Sequence, residues 1–225
     1  MIPVITIDGP SGVGKGSVSQ LLARELKWHF LDSGALYRVL AVAALEQGIT
    51  AKDPLKLHSL ALNMPVQFVV DNEALEPQIW LGERKVTDEI RTPECGQIAS
   101  QIAAIPAVRE GLLERQRAFR EDPGLVADGR DMGTVVFPEA TVKFFLQATS
   151  TERAERRYKQ LKAKGIDVNL ASLLADIEER DKRDSERAIS PLRPAADALI
   201  IDTTTLTLSQ VFEQVVKKVR SKIGS

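Results

Sequence analysis

The sequence predicts an α/β fold built on a parallel sheet, and three features point to it. Short apolar runs rich in β-branched residues alternate with segments whose apolar residues recur at helical spacing. A glycine-rich stretch separates the first such run from the first helical segment. Aspartates stand at the ends of several runs. Because ligands of open parallel sheets collect at the carboxyl ends of the strands, we expect the binding site there.

The first strand, loop and helix are the most informative part of the chain. Val4–Asp8 is typical of a central strand, and Val18, Leu22 and Leu26 then recur at helical spacing. Between them, residues 9 to 17 read GPSGVGKGS, which begins with the G-x-x-x-x-G-K pattern of a phosphate-binding P-loop. A glycine-rich turn could match by chance, but strand, helix and lysine together favour a phosphate cradle. Its predicted members are Gly9, Pro10, Ser11, Gly12, Val13, Gly14, Lys15, Gly16 and Ser17.

One position of this loop departs from the usual pattern. Gly16 stands where a P-loop usually has Ser or Thr, whose hydroxyl lies near Mg²⁺. Ser17 is the candidate for that hydroxyl, with Mg²⁺ held largely by the nucleotide and water. Lys15 is expected to bridge the outer phosphates of the nucleotide. The order G-x-x-x-x-G-K-G-[ST] resembles the P-loop of nucleoside monophosphate kinases more than that of GTPases or motor ATPases.

Four further strands complete the predicted sheet. They are expected at residues 28–31, 125–127, 142–146 and 198–202. A second helix begins near Leu36, and a final helix runs through Val211 and Val219. This alternation predicts a five-stranded parallel sheet with helices on both faces. The carboxylates at the predicted strand ends are Asp8, Asp32, Asp128 and Asp202.

Residues 65 to 89 break this alternation. Apolar residues there alternate with polar ones, and Asp71-Asn72 and Gly82-Glu83 are turn signals, so the stretch predicts a small antiparallel meander. The alternating residues are Val66, Phe68, Val70, Ile79 and Leu81. The insert is either a decorative hairpin or part of an acceptor pocket, and the spacing leaves both open.

Composition excludes several classes of protein. With 225 residues, 44% of them hydrophobic, and a net charge of −1, neither disorder nor a large basic surface for nucleic acid is indicated. The single Cys95 excludes an internal disulfide, and the chain runs into its first strand without an export signal. No apolar run approaches the length of a membrane span. We therefore expect a cytoplasmic monomer without nucleic-acid or membrane partners.

The segment from residue 151 to 187 holds ten of the thirty basic residues, interleaved with nine acidic ones. Such a run is usually a solvated helical face. However, the apolar stripe that includes Ile177 continues at spacings of three or four into Arg180, Asp184 and Arg187. Because an unpaired buried charge costs several kcal/mol, roughly 3–5, this face is expected to meet an anionic ligand or to form an ion-pair cluster. The ligand is the favoured alternative.

Taken together, five stretches resemble the bacterial cytidylate kinases, which are nucleoside monophosphate kinases. The stretches are GPSGVGKGS at 9–17, LDSGALYR at 31–38, EIRT at 89–92, DGRDMGTVVFP at 128–138 and ERDKRD at 179–184. They span nearly the whole chain, and DGRDMGTVVFP is far more specific than the P-loop. The resemblance implies a P-loop NTPase fold in one domain of residues 1–225. It would carry an acceptor-binding insert at about 63–104 and a helical lid at about 151–187.

The resemblance also implies roles for individual residues. Lys15, Arg130 and Arg187 would act directly in phosphoryl transfer, and Arg156 would join the P-loop in binding ATP. Ser33 and Arg38 would hold the acceptor phosphate, with Arg130 and Arg187 completing a clamp of guanidinium groups. The CMP-binding set that the resemblance implies is Ser33, Tyr37, Arg38, Arg91, Ser100, Arg109, Arg130, Asp131, Arg180, Asp184 and Arg187. In this set Ser100, Arg109 and Asp131 would bind the base, and Arg180 and Asp184 the ribose.

Each role has a plainer alternative. Ser33 could merely cap a helix, Arg109 could be a surface residue, and Asp128-Gly129 could be a tight turn. The sequence also leaves open whether Asp128 or Asp131 is the carboxylate nearer to Mg²⁺.

The predicted reaction is in-line transfer of the ATP γ-phosphoryl group to CMP or dCMP, with Mg²⁺ and without a general base. A nearby rival is another small-molecule kinase for AMP, UMP or shikimate. A more distant rival hypothesis is a partner-controlled nucleotide switch. The hypothesis of a nucleic-acid-binding module is less favoured still.

Overall fold

The structure of the chain is a computed structural model that describes residues 2–69, 78–163 and 165–223. It divides into two compact units. Unit 1 consists of Met1–Leu31 and Phe119–Ser225, and unit 2 of Asp32–Ala118. No helix of the described residues is both long enough and apolar enough to span a bilayer.

Eight strands and eight α-helices occur in the described part of the chain. The strands are β1 (Val4–Asp8), β2 (His29–Asp32), β3 (Val66–Val69), β4 (Gln78–Leu81), β5 (Arg84–Lys85), β6 (Leu125–Gly129), β7 (Val142–Gln147) and β8 (Leu199–Asp202). The helices are α1 (Lys15–Leu26), α2 (Ser33–Glu46), α3 (Pro54–Asn63), α4 (Pro93–Ile102), α5 (Pro106–Arg117), α6 (Ser150–Ala163), α7 (Leu170–Ser185) and α8 (Leu208–Ile223).

The main sheet is the predicted five-stranded parallel sheet, in the order β2-β6-β1-β7-β8. All five residues of β1 are buried, as expected for a central strand with neighbours on both sides. The register pairs Asp8 with Gly129 and with Phe145. The P-loop and the DGRDMG segment therefore leave the sheet side by side, at the carboxyl edge where the site was predicted.

Two strands begin one residue later than predicted, for local reasons. Trp28 is excluded from β2 because its N–H donates to the Ala23 carbonyl at 2.9 Å and so closes the end of α1. Ala198 is excluded from β8 because its N–H bonds to the Ala195 carbonyl at 3.0 Å in a turn. In both cases a hydrogen bond to the preceding segment satisfies the donor that a strand would have used.

The core of unit 1 lies between the sheet and the first and last helices. Ile5 and Ile7 of β1 point to the same face and pack in one cluster with Leu22 of α1 and Val215 of α8. The aliphatic stripe of α8 predicted from its valines is confirmed, since Val211, Val215 and Val219 are all buried. This packing fixes α1, and with it the end of the P-loop, against the sheet.

Unit 2 contains α2 to α5 and a separate antiparallel sheet in the order β3-β4-β5. The meander predicted in the insert is confirmed, with Val66 opposite Leu81 and Phe68 opposite Ile79. Gly82 forms the predicted second turn with a positive φ of 59°. Val70 and the first predicted turn, Asp71-Asn72, lie outside the described residues. The division into core, insert and lid stays a prediction.

Candidate active site

The P-loop is held against the end of β7. A Cβ atom added to Gly9 would lie only 2.1 Å from the Leu146 carbonyl oxygen, so no residue with a side chain fits there without moving the backbone. The loop ends at Gly14, and α1 begins with Lys15. The predicted order of strand, loop and helix is thus present, and the N-terminus of α1 follows the loop directly.

The carboxylate of Asp128 lies close to the glycine at position 16. A Cβ atom on Gly16 would lie 3.3 Å from Asp128 Oδ2, which is closer than ordinary van der Waals contact. Asp128 Oδ1 is 4.0 Å from Lys15 Nζ. Asp128 and Gly129 are the last two residues of β6, so the alternative that they form a tight turn is wrong. A larger residue at position 16 would press on the carboxylate that faces the lysine.

Lys15 is buried among other cations. Its Nζ donates to the Pro10 carbonyl at 2.9 Å, and only 7% of the residue is exposed. Burial and then the nearby Arg130 lower its pKa to about 7, although Asp128 acts in the opposite direction. Arg180 also lowers this pKa. The positive charges therefore destabilise one another at the P-loop.

Asp8 holds the DGRDMG segment in place. Its Oδ1 accepts from the Met132 N–H at 2.9 Å, and its Oδ2 accepts from the Gly133 N–H at 2.8 Å. Burial raises the pKa of Asp8 to about 6, which the two backbone hydrogen bonds only partly counteract. The sequence placed Asp8 at a strand end but did not indicate this role. Its carboxylate fixes the turn that carries Arg130 and Asp131.

Asp184 and Arg187 of the predicted stripe are buried and form a cluster with Arg130, although α7 ends at Ser185, before Arg187. The favoured alternative, an anionic ligand, stays a prediction. Arg130 Nε donates to Asp184 Oδ2 at 2.9 Å, and Arg187 Nη1 lies 4.0 Å from Asp184 Oδ1. Burial alone would raise the pKa of Asp184, but Arg130, Arg180 and Arg187 together lower it. Burial likewise opposes the charge of Arg130, yet Asp184 and Asp128 raise its pKa. An ion-pair cluster is therefore present, and several arginines share one carboxylate within it.

Arg156 is tied to the segment that follows β8. Its Nη1 donates to Thr203 Oγ1 at 3.2 Å and its Nη2 to the Thr203 carbonyl at 2.6 Å. The Thr203 hydroxyl in turn donates to the Val13 carbonyl of the P-loop at 3.3 Å. Thr203 therefore connects Arg156 with the nucleotide cradle, a link that the sequence did not indicate.

In unit 2, Arg38 holds the EIRT segment. Its Nη1 donates to the Ile90 carbonyl at 2.7 Å, with a longer contact of 3.4 Å to the Thr92 carbonyl. Arg91, the predicted member of that segment, lies between these two acceptors and ends a short 3₁₀ helix. The structure therefore brings Arg38 and the segment that carries Arg91 together, as the predicted set requires.

Ser33 does not cap α2. The capping oxygen comes from Asp32, whose Oδ1 accepts from the Ala35 N–H at 3.0 Å. Ser33 is buried, and its hydroxyl donates to Gln116 Oε1 at 2.8 Å. The capping alternative for Ser33 is thus wrong, and Gln116 of α5 is a partner that the sequence did not reveal.

Arg109 is not a surface residue, contrary to the plainer alternative. It is 8% exposed, and its Nη1 donates to the Ala103 carbonyl at 3.0 Å. Its guanidinium carbon lies 5.6 Å from the centre of the Tyr37 ring, within the range of a cation–π contact. Ser100 of α4 is buried as well. Tyr37 and Arg109 are therefore neighbours in unit 2, as the predicted acceptor set implies.

Comparison with known proteins decides the family. The family model described as cytidylate kinase matches residues 5–221. The chain belongs to the cytidylate kinase family. It is 55% identical over 222 residues to the cytidylate kinase of Shewanella denitrificans, covering 99% of this chain and 98% of that protein. It is 58% identical over 214 residues to the cytidylate kinase of Nitrosococcus oceani, covering 95% and 94%.

The resemblance noted in the motifs is therefore confirmed, and the chain is a nucleotide-binding kinase that uses ATP. Among solved structures, an uncharacterized protein from Eubacterium ventriosum matches with a TM-score of 0.52 at 11% identity, over 98% of this chain and 99% of that one. At that identity the match supports the fold only. The P-loop kinase fold predicted from the sequence is confirmed.

Proposed function

We propose that the protein transfers the γ-phosphoryl group of ATP to the phosphate of CMP or dCMP. The observation that carries the proposal is the buried Lys15 beside other cations at the P-loop, where burial and then Arg130 and Arg180 lower its pKa to about 7. Such crowding costs free energy in the absence of a ligand and is relieved when a polyanion binds. A site for two phosphate-bearing substrates accounts for it.

On the donor side, we assign the β- and γ-phosphates to the P-loop backbone and to Lys15. Consecutive N–H groups at the start of α1 suit an anion, and the phosphates favour the charged form of the buried lysine. We place Arg156 beside ATP because its partner Thr203 also contacts the P-loop. Ser17 lies on the first turn of α1 and is exposed, so a nucleotide bound at the P-loop can reach its hydroxyl.

On the acceptor side, we assign the phosphate of CMP to Ser33, Arg38, Arg130 and Arg187. Guanidinium groups bind phosphate through paired hydrogen bonds, which a lysine cannot reproduce. We assign the base to Ser100, Arg109 and Asp131, because a cytosine edge presents both acceptors and a donor. We also assign Tyr37 and Arg91 to CMP binding, and Arg180 and Asp184 to the ribose. These assignments rest on the family motifs and, for Ser33, Tyr37, Ser100, Arg109, Asp131, Asp184 and Arg187, also on burial.

The reaction needs no general base. An oxygen of the CMP phosphate attacks the γ-phosphorus, the bond from that phosphorus to the β–γ bridging oxygen breaks, and ADP leaves. The second pKa of a nucleotide phosphate is about 6, so the attacking oxygen is already largely ionised at neutral pH. The protein therefore positions two anions and neutralises their charge, and Lys15, Arg130 and Arg187 are the groups we propose for that task.

We further propose that Mg²⁺ enters with ATP. The Asp128 carboxylate near Lys15 and the Ser17 hydroxyl on α1 are hard oxygen groups of the kind that Mg²⁺ prefers, so the local chemistry fits the ion. When bound, the ion supplies neutralisation of charge on the β- and γ-phosphates. We propose that Asp128 is the carboxylate nearer to it.

We also propose a cytoplasmic monomer, which size-exclusion chromatography with light scattering would test.

The proposed function is tested by ADP release with ATP, Mg²⁺ and one acceptor at a time. We expect rapid release with CMP and dCMP, slower release with UMP, and little with AMP, GMP or shikimate. Fastest turnover with AMP or shikimate would assign the chain to a different acceptor. ADP release that no acceptor accelerates would favour a nucleotide switch over a metabolic kinase.

A further inference from the structure

Arg153 is buried although it lies in the charged segment of residues 151 to 187. It occupies the first turn of α6 and is only 3% exposed. Its Nε–H donates to the Ala148 carbonyl at 3.0 Å, just after β7, and its Nη1 donates to the Ser11 carbonyl at 3.0 Å. Nη1 also donates to Asp181 Oδ1 at 3.1 Å, and Nη2 donates to Asp181 Oδ2. One guanidinium thus contacts the sheet edge, the P-loop and α7.

On the side of the P-loop, Arg153 fixes a peptide group. Because a peptide is planar and trans, holding the Ser11 carbonyl toward Arg153 directs the N–H of Gly12 to the opposite side. The contact is close, since a Cβ atom on Gly12 would lie 3.2 Å from Arg153 Cβ. The orientation of a backbone donor in the middle of the cradle therefore depends on the position of Arg153.

On the side of α7, the same guanidinium holds Asp181 with both nitrogens of its fork. Asp181 directly follows Arg180 and precedes Asp184 by three positions, so it belongs to the helix that carries two proposed acceptor-binding groups. A paired guanidinium–carboxylate contact restricts rotation as well as distance. The rotation of α7 is thus tied to the residue that orients the loop.

We propose that Arg153 is a positioning residue that couples the P-loop to α7 through Asp181. The affinity of the cradle for ATP then depends on the position of α7, even though neither Arg153 nor Asp181 belongs to the proposed substrate-binding set. This proposal rests on the kinase function proposed above, because it takes ATP as the ligand of the loop.

The test is calorimetric titration of Mg²⁺·ATP, without acceptor, into the parent, Arg153→Lys, Asp181→Asn and the double variant. A lysine keeps the charge but cannot contact three segments at once. We expect Arg153→Lys to weaken ATP binding roughly tenfold, which corresponds to about 1.4 kcal/mol of binding free energy. We expect Asp181→Asn to weaken it as well, and the double variant to be no weaker than Arg153→Lys, because both changes break the same link.

A matched control is available on the same two helices. Ser150 Oγ donates to Glu178 Oε1 at 3.1 Å, which joins α6 to α7 without a described contact to the P-loop. The variant Ser150→Ala/Glu178→Gln should bind ATP within about twofold of the parent. If it weakens ATP binding as much as Arg153→Lys does, general packing of the helices would explain the result and the proposed role of Arg153 would be overturned.

Two further outcomes would overturn the proposal, namely unchanged ATP affinity in both single variants or purely additive losses in the double variant. Should Arg153→Lys fail to fold, Asp181→Asn carries the test, because its side chain is 28% exposed and tolerates the change. An affinity of Asp181→Asn within about twofold of the parent would then contradict the coupling. CMP phosphorylation by the parent is measured separately, so failure of the proposed function is distinguished from failure of this proposal.

Discussion

Four of the less exposed arginines are held in different ways in the two units, whereas the exposed Arg84 of unit 2 pairs with two carboxylates. In unit 1, Arg130 and Arg153 donate to the carboxylates of Asp184 and Asp181. In unit 2, the hydrogen bonds described for Arg38 and Arg109 go to backbone carbonyls. A carbonyl orients a guanidinium through its dipole and carries no formal charge, whereas a carboxylate both orients and neutralises it. The position of a unit 1 arginine can therefore be changed by replacing one acidic side chain.

The largest effect should come from removing a charge at the centre of unit 1. Lys15→Ala or Arg187→Ala should lower kcat by roughly three orders of magnitude or more, because these groups neutralise the transferring phosphoryl group. Circular dichroism should show the fold intact. Arg220→Ala is the control, since Arg220 is exposed and pairs only at the surface with Glu25 among its described contacts. Near-normal kcat in Lys15→Ala would contradict the assignment.

The next effect compares a buried carboxylate of unit 1 with an exposed carboxylate of unit 2. Asp184→Asn should reduce the free energy of unfolding by about 3 kcal/mol, because it leaves buried arginines without a carboxylate. Glu89→Gln in unit 2 removes one exposed partner of Arg84 and should cost less than about 1 kcal/mol. Urea denaturation of both variants measures these values. Equal losses would mean that the burial of Asp184 does not increase its contribution to stability.

Arg130→Lys should also lower kcat. A lysine keeps the charge but loses the fork, so we expect kcat with CMP to fall on the order of a hundredfold while stability changes little. Steady-state kinetics measures the loss, and Arg183→Lys, on a pair with the exposed Glu179, is the matched control. If Arg130→Lys and the control retained equal activity, a paired contact from Arg130 to phosphate would be excluded.

A smaller effect is expected at Gly16. Gly16→Ala should lower kcat several-fold, because the new Cβ displaces the Asp128 carboxylate by a few tenths of an ångström. Stability should stay equal or rise by up to about 1 kcal/mol, because alanine favours the helix over glycine. Kinetics and urea denaturation together separate the two effects. Parent-like kcat in Gly16→Ala would show that Asp128 is not held by this contact.

The smallest effect is a change in protonation. In the free protein the pKa of Lys15 is about 7, so at pH 8 most of the lysine is neutral. The ATP phosphates favour the charged form and raise this pKa, so ATP binding at pH 8 should take up a proton, up to about one per site. Calorimetry in buffers of different ionisation enthalpy measures the uptake. Equal uptake in Lys15→Met would assign the proton to another group.

The sequence predicted the elements whose signals are local. The five strands, the P-loop and the α7 stripe through Ile177 and Asp184 follow from spacing along a single segment. Contacts between distant segments could not be predicted in this way. Arg153 and Ser11 are 142 positions apart, and Asp8 and Gly133 are 125 apart.

For Arg153 a weak signal did exist. It lies eight positions before the buried Leu161 and directly before the buried Ala154, on the inward side of α6. The high charge of the segment concealed this periodicity. The local sequence could not show which residue caps α2, because Asp32, immediately before Ser33, is an equally good capping residue. The hydroxyl of Ser33 is bound instead by Gln116, 83 positions away, a partner that no local pattern indicates.

The most direct test of the account follows the γ-phosphoryl group itself. ATP labelled at the γ-phosphorus is mixed with Mg²⁺, CMP and excess enzyme, and the products are separated by chromatography. Transfer between two anions positioned by Lys15, Arg130 and Arg187 predicts that the label appears in CDP, with little in inorganic phosphate. Label released as inorganic phosphate at a rate independent of CMP would contradict the account.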